Sequence, residues 1–321
     1  MKSPVISVLV PAHQAERYVA ETLKSILNQT AVEWECVFSD DASTDQTHGI
    51  AKEFADRDSR LRIFRQTKNL GMVGNWNFCL NQAKGKACIL VPADDKLSDP
   101  DSLRTYWDLL QTPSVLLAVA PCLLMDDNSI PGRLIAGLAP GLHASRKITS
   151  AILRHQDNLI GPPACGMFWR NRGVKGYDPS AGHAADIDLW WKLMQSEGWL
   201  HVADRPLSLF RIHGKQLSNA VFSSGIPERD HLLWLLRRCQ ETNVPPALRY
   251  WTYRRAKRVI QKTAKPRMQE LQPKVRELGK GFPPIHRAFL SMQYGVSRFL
   301  DRQNSSLKKR VAWLRRSGQA S

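Results

Sequence analysis

Hydrophobic and polar positions in the first 120 residues fall into two alternating patterns. Short runs at Ile6–Val10, Glu35–Ser39, Leu61–Arg65, Ala87–Val91 and Val115–Ala120 read as strands. The intervening segments carry helical periodicity. In Ala15–Asn28, residues Val19, Leu23, Ile26 and Leu27 lie on one stripe, and Thr44–Arg57 and Val73–Ala83 read as further helices. Asp99-Pro100 is expected to open the next one, with Asp as N-cap and Pro in the first turn. Alternation of this kind predicts an α/β fold, Rossmann-like, with a mostly parallel sheet covered by helices on both faces.

Ligands in such sheets bind beyond the carboxyl ends of the strands, and that is where the polar residues collect. Pro11–Glu16 follows the first strand, Asp40-Asp41-Ala42-Ser43-Thr44-Asp45 the second, and Asp94-Asp95 the fourth; Asn69-Leu70-Gly71 precedes the helical GMVGNWN segment. Ser43 with Gln46 matches a helix capping box, so Ser43 and Asp45 have a plain helix-starting role open to them. Asp41 is left over, because capping needs a single carboxylate or hydroxyl. Two adjacent carboxylates where a buried strand surfaces suit a hard divalent cation, Mg²⁺ or Mn²⁺, although Asp-Asp also serves ordinary turns.

Charge divides the chain. Of the net +17, residues 221–321 contribute +16, from 22 Lys and Arg against 6 Asp and Glu. The expected organisation is a near-neutral sheet domain over 1–220 and a basic, mainly helical extension over 221–321. No apolar run is long enough to span a membrane. The opening MKSPVISVLVPAHQAE is broken by Ser7, Pro11 and His13 and reads as a first strand rather than a signal peptide, which makes the cytoplasm the expected location. The six cysteines are scattered and form no CxxC pair, so buried reduced thiols are expected rather than zinc. Neither GxxxxGK[ST], GxGxxG nor GxSxG is present, which leaves no support for P-loop, dinucleotide or serine-hydrolase chemistry.

Six strings in order over roughly residues 4–220 resemble the family-two inverting glycosyltransferases of the nucleotide-sugar-binding GT-A fold. VISVLVPAHQAERYVAETLKSILNQT is similar to the family's opening strand and helix, and SDDASTDQT to its nucleotide-binding turn. NLGMVGNWNFCLNQAKGKACILVPADD resembles the segment leading to the acidic metal motif; GPPACGMFWR, ADIDLWWKL and PLSLFRIHGKQLS resemble acceptor-side elements. The resemblance implies a UDP- or dTDP-sugar donor, a glycan or lipid-linked acceptor, and Mg²⁺ or Mn²⁺. It places Pro11, Ala12 and His13 at the base and ribose, Asp41 on the pyrimidine NH, Asp94 toward ribose or metal and Asp95 on the metal. Asp186 is implied as general base, with Asp188 the alternative, and His213 as a residue near metal or diphosphate.

Several positions depart from the family pattern. His13-Gln14 replaces aromatic-Asn, Ala42 stands for Gly, and Ala185 for Glu. No QxxRW-like motif of processive synthases is present, which favours single-sugar transfer. Trp190-Trp191 reads as core. Two rivals remain open at this level: a nucleotidyltransferase, whose Gly-rich basic loop PAHQAER does not supply, and a non-catalytic scaffold whose basic end binds nucleic acid. The basic region carries Trp234, Trp251, Tyr253, Phe299 and Trp313 among its cations, a composition that suits peripheral attachment to an anionic inner membrane face. A solvated helical extension packed on the sheet domain is equally open, since charge runs usually face water; for nucleic acid the charge fits but no recognised motif does.

Overall fold

Strand β1 (Ile6–Ala12) has every residue buried, since both of its neighbours are parallel strands and both faces are covered. Its alternation sorts the two sides. Ile6, Val8 and Val10 pack with Val19, Leu23 and Ile26 of α1 (Val19–Leu27), Ala51 of α2 (Thr47–Ala55) and Leu103, Tyr106 and Leu110 of α4 (Ser102–Leu110). The opposite side meets α3 (Met72–Gln82), whose Cys79 and Leu80 are buried. The computed structural model describes residues 4–30, 33–155, 158–172, 175–213, 226–241, 244–262, 269 and 271–280. The chain divides into two compact units, Met1–Trp234 and Leu235–Ser321. The composition boundary near residue 220 lies in 214–225, outside the described residues.

Strands β2 (Trp34–Asp40), β3 (Leu61–Arg65), β4 (Ala87–Leu90), β6 (Val115–Val119), β9 (Gly141–Ala144), β10 (Gly166–Trp169) and β11 (Trp199–Val202) complete an eight-stranded sheet in the order β3-β2-β1-β4-β10-β6-β11-β9. The expected α/β architecture is present, with one revision of register. From β3 to β4 all pairings are parallel, but β10 runs antiparallel to both β4 and β6, and β9 antiparallel to β11. A second sheet, absent from the sequence reading, joins β5 (Lys96–Leu97), β12 (Ser208–Arg211), β7 (Cys122–Met125) and β8 (Pro131–Ile135). Its strands are two to five residues long, too short to show a period. Helices α5 (Ser145–His155) and α6 (Ala185–Leu193) complete the sheet domain, and α7 (Ile226–Arg238) begins in it.

Helix α4 starts later than expected. Its N-cap is Asp101; Asp99 accepts the Asp101 N–H and closes the preceding turn. Trp190 and Trp191 are core residues as expected: Trp190 is fully buried against Phe168, with ring centroids 5.9 Å apart. Gly166 makes room for it, since a Cβ there would come within 2.7 Å of the indole. Trp234, assigned above to a membrane boundary, is instead buried. Its ring meets Trp191 at 5.7 Å and its indole N–H donates to Asp188. All six cysteines are free and buried.

In the second unit, α8 (Pro246–Lys262) and α9 (Gln272–Lys280) turn Thr252, Ala256, Ile260, Leu271 and Val275 inward. Arg254, Lys257, Arg258, Lys274 and Lys280 are exposed. No helix among the described residues is long and apolar enough to cross a membrane.

A buried carboxylate ties the sheet's amino edge together. Glu35 on β2 accepts from the Ser7 hydroxyl at 2.7 Å, the Lys84 N–H at 2.6 Å and Arg62 of β3 at 2.7 Å. Burial alone would raise its pKa, but these hydrogen bonds and the Arg62 charge hold it below the ordinary carboxylate range. Glu35→Ala leaves buried donors without an acceptor and should cost about 3 kcal/mol. Urea denaturation measures this, and a loss under about 1 kcal/mol would show the network to be dispensable.

Candidate active site

The carboxyl ends of β1, β2 and β4 bring the sequence-flagged segments together. The Asp41 N–H donates to Ala12 O at 2.8 Å, and the Ala93 N–H to Pro11 O at 3.2 Å. Pro11 and Ala12 are buried and shape this edge with their backbone, while His13 is exposed. The His13 Nδ1–H donates to Asp41 O at 2.9 Å, which leaves Nε2 to accept from Asn69 at 3.4 Å. Asp41 itself is 3% exposed, and its two carboxylate oxygens accept the Leu70 and Gly71 N–H groups at 2.7 and 3.1 Å. Asp41 thereby fixes the turn that starts α3.

The loops after β1 and β2 lock each other. The Gln14 side-chain oxygen accepts the Thr44 and Asp45 N–H groups, its amide donates to Thr44 Oγ1, and its backbone N–H donates to Ser43 Oγ. The expected capping box therefore does not form: Ser43 serves Gln14, and Asp45 and Glu16 take the first N–H groups of α2. Gln14 and Ala42 hold positive φ of 51° and 56°, a conformation costing roughly 1–2 kcal/mol for a residue with a Cβ. The locking network holds both residues there.

The acidic pair sits on a buried cation. Arg211, at the end of β12, has no exposed side-chain surface. Its backbone N–H donates to Asp95 Oδ1 at 2.9 Å and its Nε to Asp94 O at 2.8 Å. Its Nη1 reaches Ser129 Oγ at 2.8 Å and its Nη2 Glu21 of α1 at 3.0 Å. The guanidinium lies 4.6 Å over the Tyr18 ring, which in turn sits 4.6 Å from the His213 ring. Thr22 of α1 donates to Ala93 O and Asp95 O at 2.9 and 2.6 Å, holding the same turn from the other side.

The two carboxylates of the pair differ sharply. Asp95 is wholly enclosed, and its Oδ2 has no hydrogen-bond partner among the described residues. Burial, reinforced by neighbouring Asp94, pushes its pKa well above the carboxylate range. Asp94 keeps 26% of its side-chain surface and places Oδ2 3.2 Å from His213 Nε2. Among the described residues no group of three or more His, Cys, Asp or Glu encloses a single point. Mg²⁺ needs only one or two protein carboxylates beside phosphate oxygens and water, and the adjoining Asp94, His213 and orphaned Asp95 oxygen fit that requirement.

On the acceptor side, Asp188 is committed to structure. It accepts from the Trp234 indole at 2.8 Å and pairs with Lys192 at 2.6 Å. Asp186, in the first turn of α6, accepts the Ile187 N–H at 2.8 Å and the Asn158 amide at 3.2 Å. Asn158 lies shortly before β10, whose antiparallel register with β4 brings that segment to the carboxyl end of β4. Asp186, on α6, is thus tied through Asn158 to the segment that precedes β10. Among the described residues, no hydrogen bond joins Asp186 to Asp94.

Residues 7–174 match the pattern described as Glycosyl transferase family 2, more than half of the chain. The chain belongs to this family. The putative glycosyltransferase EpsE of Bacillus subtilis is 38% identical over 60% of this chain and 67% of its own length. Escherichia coli chondroitin synthase is 27% identical over 62% of this chain, which spans only 28% of that enzyme. Among solved structures, Staphylococcus aureus TarS in complex with UDP-GlcNAc superposes with a TM-score of 0.64 at 17% identity, over 85% of this chain and 79% of that one. The Pyrobaculum calidifontis mannosyltransferase PcManGT, in complex with GDP-Man and Mn²⁺, gives 0.56 at 16% identity, over 92% and 85%. The GT-A-type fold is thus shared, and family membership sets aside the nucleotidyltransferase and scaffold rivals.

Three residues of this candidate site carry no assignment from the sequence. Arg211 could have been suspected as a cation set between the mostly apolar Leu207–Phe210 and Ile212. Tyr18 and Asn158 carry no local signal, because only the fold brings them to their partners.

Burial pushes the Asp186 carboxyl up to about 6, against the Ile187 N–H, the Asn158 amide and the His183 charge. A group with a raised native pKa stabilises the fold fully below its unfolded value, about 3.8, and loses that contribution as pH rises through about 6. Asp186→Asn cannot ionise, so it should gain stability relative to the parent protein between about pH 4 and about pH 7. Urea midpoints across that range measure it; a constant difference would mean that the carboxyl is unperturbed.

Proposed function

We propose that this chain is an inverting, divalent-cation-dependent transferase that moves one sugar from a UDP- or dTDP-sugar to a hydroxyl of a glycan or lipid-linked acceptor, in synthesis of a cell-envelope polysaccharide. The observation that carries this reading is the gathering of His13, Asp41 and the Asp94–His213 pair at the carboxyl ends of β1, β2 and β4. Asp186, in the first turn of α6, is tied by Asn158 to the segment that precedes β10. The polysaccharide-related names of relatives and the UDP-GlcNAc in the TarS complex point the same way.

The nucleotide lies across the ends of β1 and β2. Pro11 and Ala12 supply a backbone wall, His13 the ribose side, and Asp41 an acceptor for the pyrimidine NH through lone pairs not used on Leu70 and Gly71. Asp94 and His213 hold Mg²⁺ or Mn²⁺. Asp95 joins them through its unpartnered Oδ2, its other oxygen accepting the Arg211 N–H. A bound cation offsets the charge growing on the diphosphate leaving group. Asp186 takes the proton from the acceptor hydroxyl as that oxygen attacks the anomeric carbon from the face opposite the leaving group, and a single displacement inverts the configuration.

Calorimetry with UDP should detect binding that requires Mn²⁺ or Mg²⁺ and is lost in Asp94→Ala. Binding unchanged in Asp94→Ala would remove the metal role. Asp186→Asn should keep nucleotide binding and lose transfer by at least about 100-fold, the low end for loss of a general base. If Asp188→Asn is the inactive variant and Asp186→Asn turns over normally, the assignment is wrong.

The exposed cations of α8 and α9 support peripheral attachment to an anionic membrane on the cytoplasmic side, each adding about 1 kcal/mol near the surface. Of the aromatic residues assigned to that boundary, Trp234 is withdrawn by its burial, Phe299 and Trp313 lie outside the described residues, and the Trp251 side chain is likewise undescribed. The protein should sediment with phosphatidylglycerol vesicles at low salt and be released at high salt. Replacing Arg254, Lys257, Arg258 and Lys274 by Glu should abolish sedimentation with helix content unchanged by circular dichroism. Full-length protein left in the supernatant at low salt overturns the attachment.

A further inference from the structure

Both carboxylate oxygens of Asp186 are held, and the second is held by a group that is itself immobilised. Oδ1 accepts the Ile187 N–H at 2.8 Å, and Oδ2 accepts Asn158 Nδ2 at 3.2 Å. The Asn158 side-chain oxygen accepts the Ile160 and Gly161 N–H groups at 3.2 and 3.0 Å, while Nδ2 also donates to Gly161 O at 2.7 Å. Rotating the amide by half a turn would set its NH2 against the Ile160 and Gly161 N–H donors and its oxygen against the Gly161 and Asp186 acceptors, so Nδ2 is committed to face Asp186. Gly161, at φ +104°, closes this turn in a conformation that side chains resist.

The other groups around Asp186 do not duplicate this contact. His183, three residues earlier, is paired through Nδ1 with Asp230 of α7 at 3.0 Å, and Asp230 also meets Arg229 at 3.3 Å. Tyr177 is buried nearby, its pKa raised by burial and by charges that include Asp186. Asp188 and Lys192, further along α6, pair with each other. Among the described residues, these pairings place no further hydrogen-bond donor on the Asp186 carboxylate.

We propose that Asn158 is a positioning residue for the reaction: it fixes the rotation of the Asp186 carboxylate, occupies one Oδ2 lone pair, and so leaves the remaining outward lone pairs as the ones that meet the acceptor hydroxyl. The proposal rests on Asp186 being the base. Asn158 also tunes that base. Donation to the charged form lowers the carboxylate pKa, so Asn158 offsets part of the rise that burial causes and keeps the group ionised near neutral pH.

A carboxyl titration tests this without knowledge of the acceptor. In protein labelled with carbon-13 at aspartate Cγ, the Asp186 resonance is the one missing from Asp186→Asn. Asn158→Ala should raise its midpoint by about one pH unit, the size of one hydrogen bond to a charged group. Asn158→Asp preserves the acceptor that makes the turn but replaces the donor by a carboxylate, and should raise the midpoint further. It remains decisive if Asn158→Ala does not fold. Calorimetric binding of UDP with Mn²⁺ should be unaffected in either variant. In donor hydrolysis, Asn158→Ala should lower turnover about tenfold or more on its own, and no further when Asp186→Asn is already present. An Asp186 midpoint unmoved in both variants overturns the positioning role while leaving the base assignment intact. Full turnover by Asp186→Asn overturns the base assignment, and the catalytic part of this proposal with it.

Discussion

A single fully buried guanidinium holds the two sheets and the acidic turn in one arrangement. Arg211 reaches Glu21 on α1, the backbone of Asp94, Asp95 Oδ1 through its own N–H, and Ser129 in the β7–β8 turn. A buried cation is costly unless its donors are satisfied, so these partners are coupled: moving one strands a charge. The planar fork matters as well as the charge, because Lys has the charge but cannot supply divergent donors from one rigid plane. Tyr18 under the guanidinium carries the constraint on to His213, and from there to Asp94.

The carboxylates of this sheet domain divide by environment. Glu35 and Asp188 are buried but paired with Arg62 and Lys192, and they hold strands and helices in place. Asp41 is nearly enclosed and spends an oxygen on each of two backbone amides. Asp94 faces His213, and Asp186 is held by the Asn158 amide and the Ile187 N–H. Asp95 is enclosed beside Asp94 with one oxygen unpartnered, an arrangement stable only if a proton or a nearby cation relieves it.

The site's mobility is restricted for a reason visible in its loops. Gln14 and Ala42 sit at positive φ and are held by hydrogen bonds that cross between the β1 and β2 loops. Strain of this kind persists only when the surroundings over-determine it. The loops after β1 and β2 are accordingly fixed by their own hydrogen bonds, while Asp186 depends on the Asn158 turn.

The alternation of strand and helix over the first 120 residues was legible because period-two and period-3.6 patterns are local properties of the chain. So were the identities of Asp41, Asp94, Asp186 and His213 as candidates, since polar residues crowd where strands surface, and the family's strings lie in order along the chain. The second sheet was not legible: β5, β7, β8 and β12 are too short to show a period and pair across long separations. Nor could sequence choose between Asp186 and Asp188. Two residues apart on one helix turn, they differ only in what the fold places against them, Asn158 for one, Trp234 and Lys192 for the other. The same holds for Asp94 and Asp95, adjacent in the chain and opposite in exposure, because a turn at a strand end sends successive side chains to opposite sides and only the packing of Arg211 decides which side is sealed.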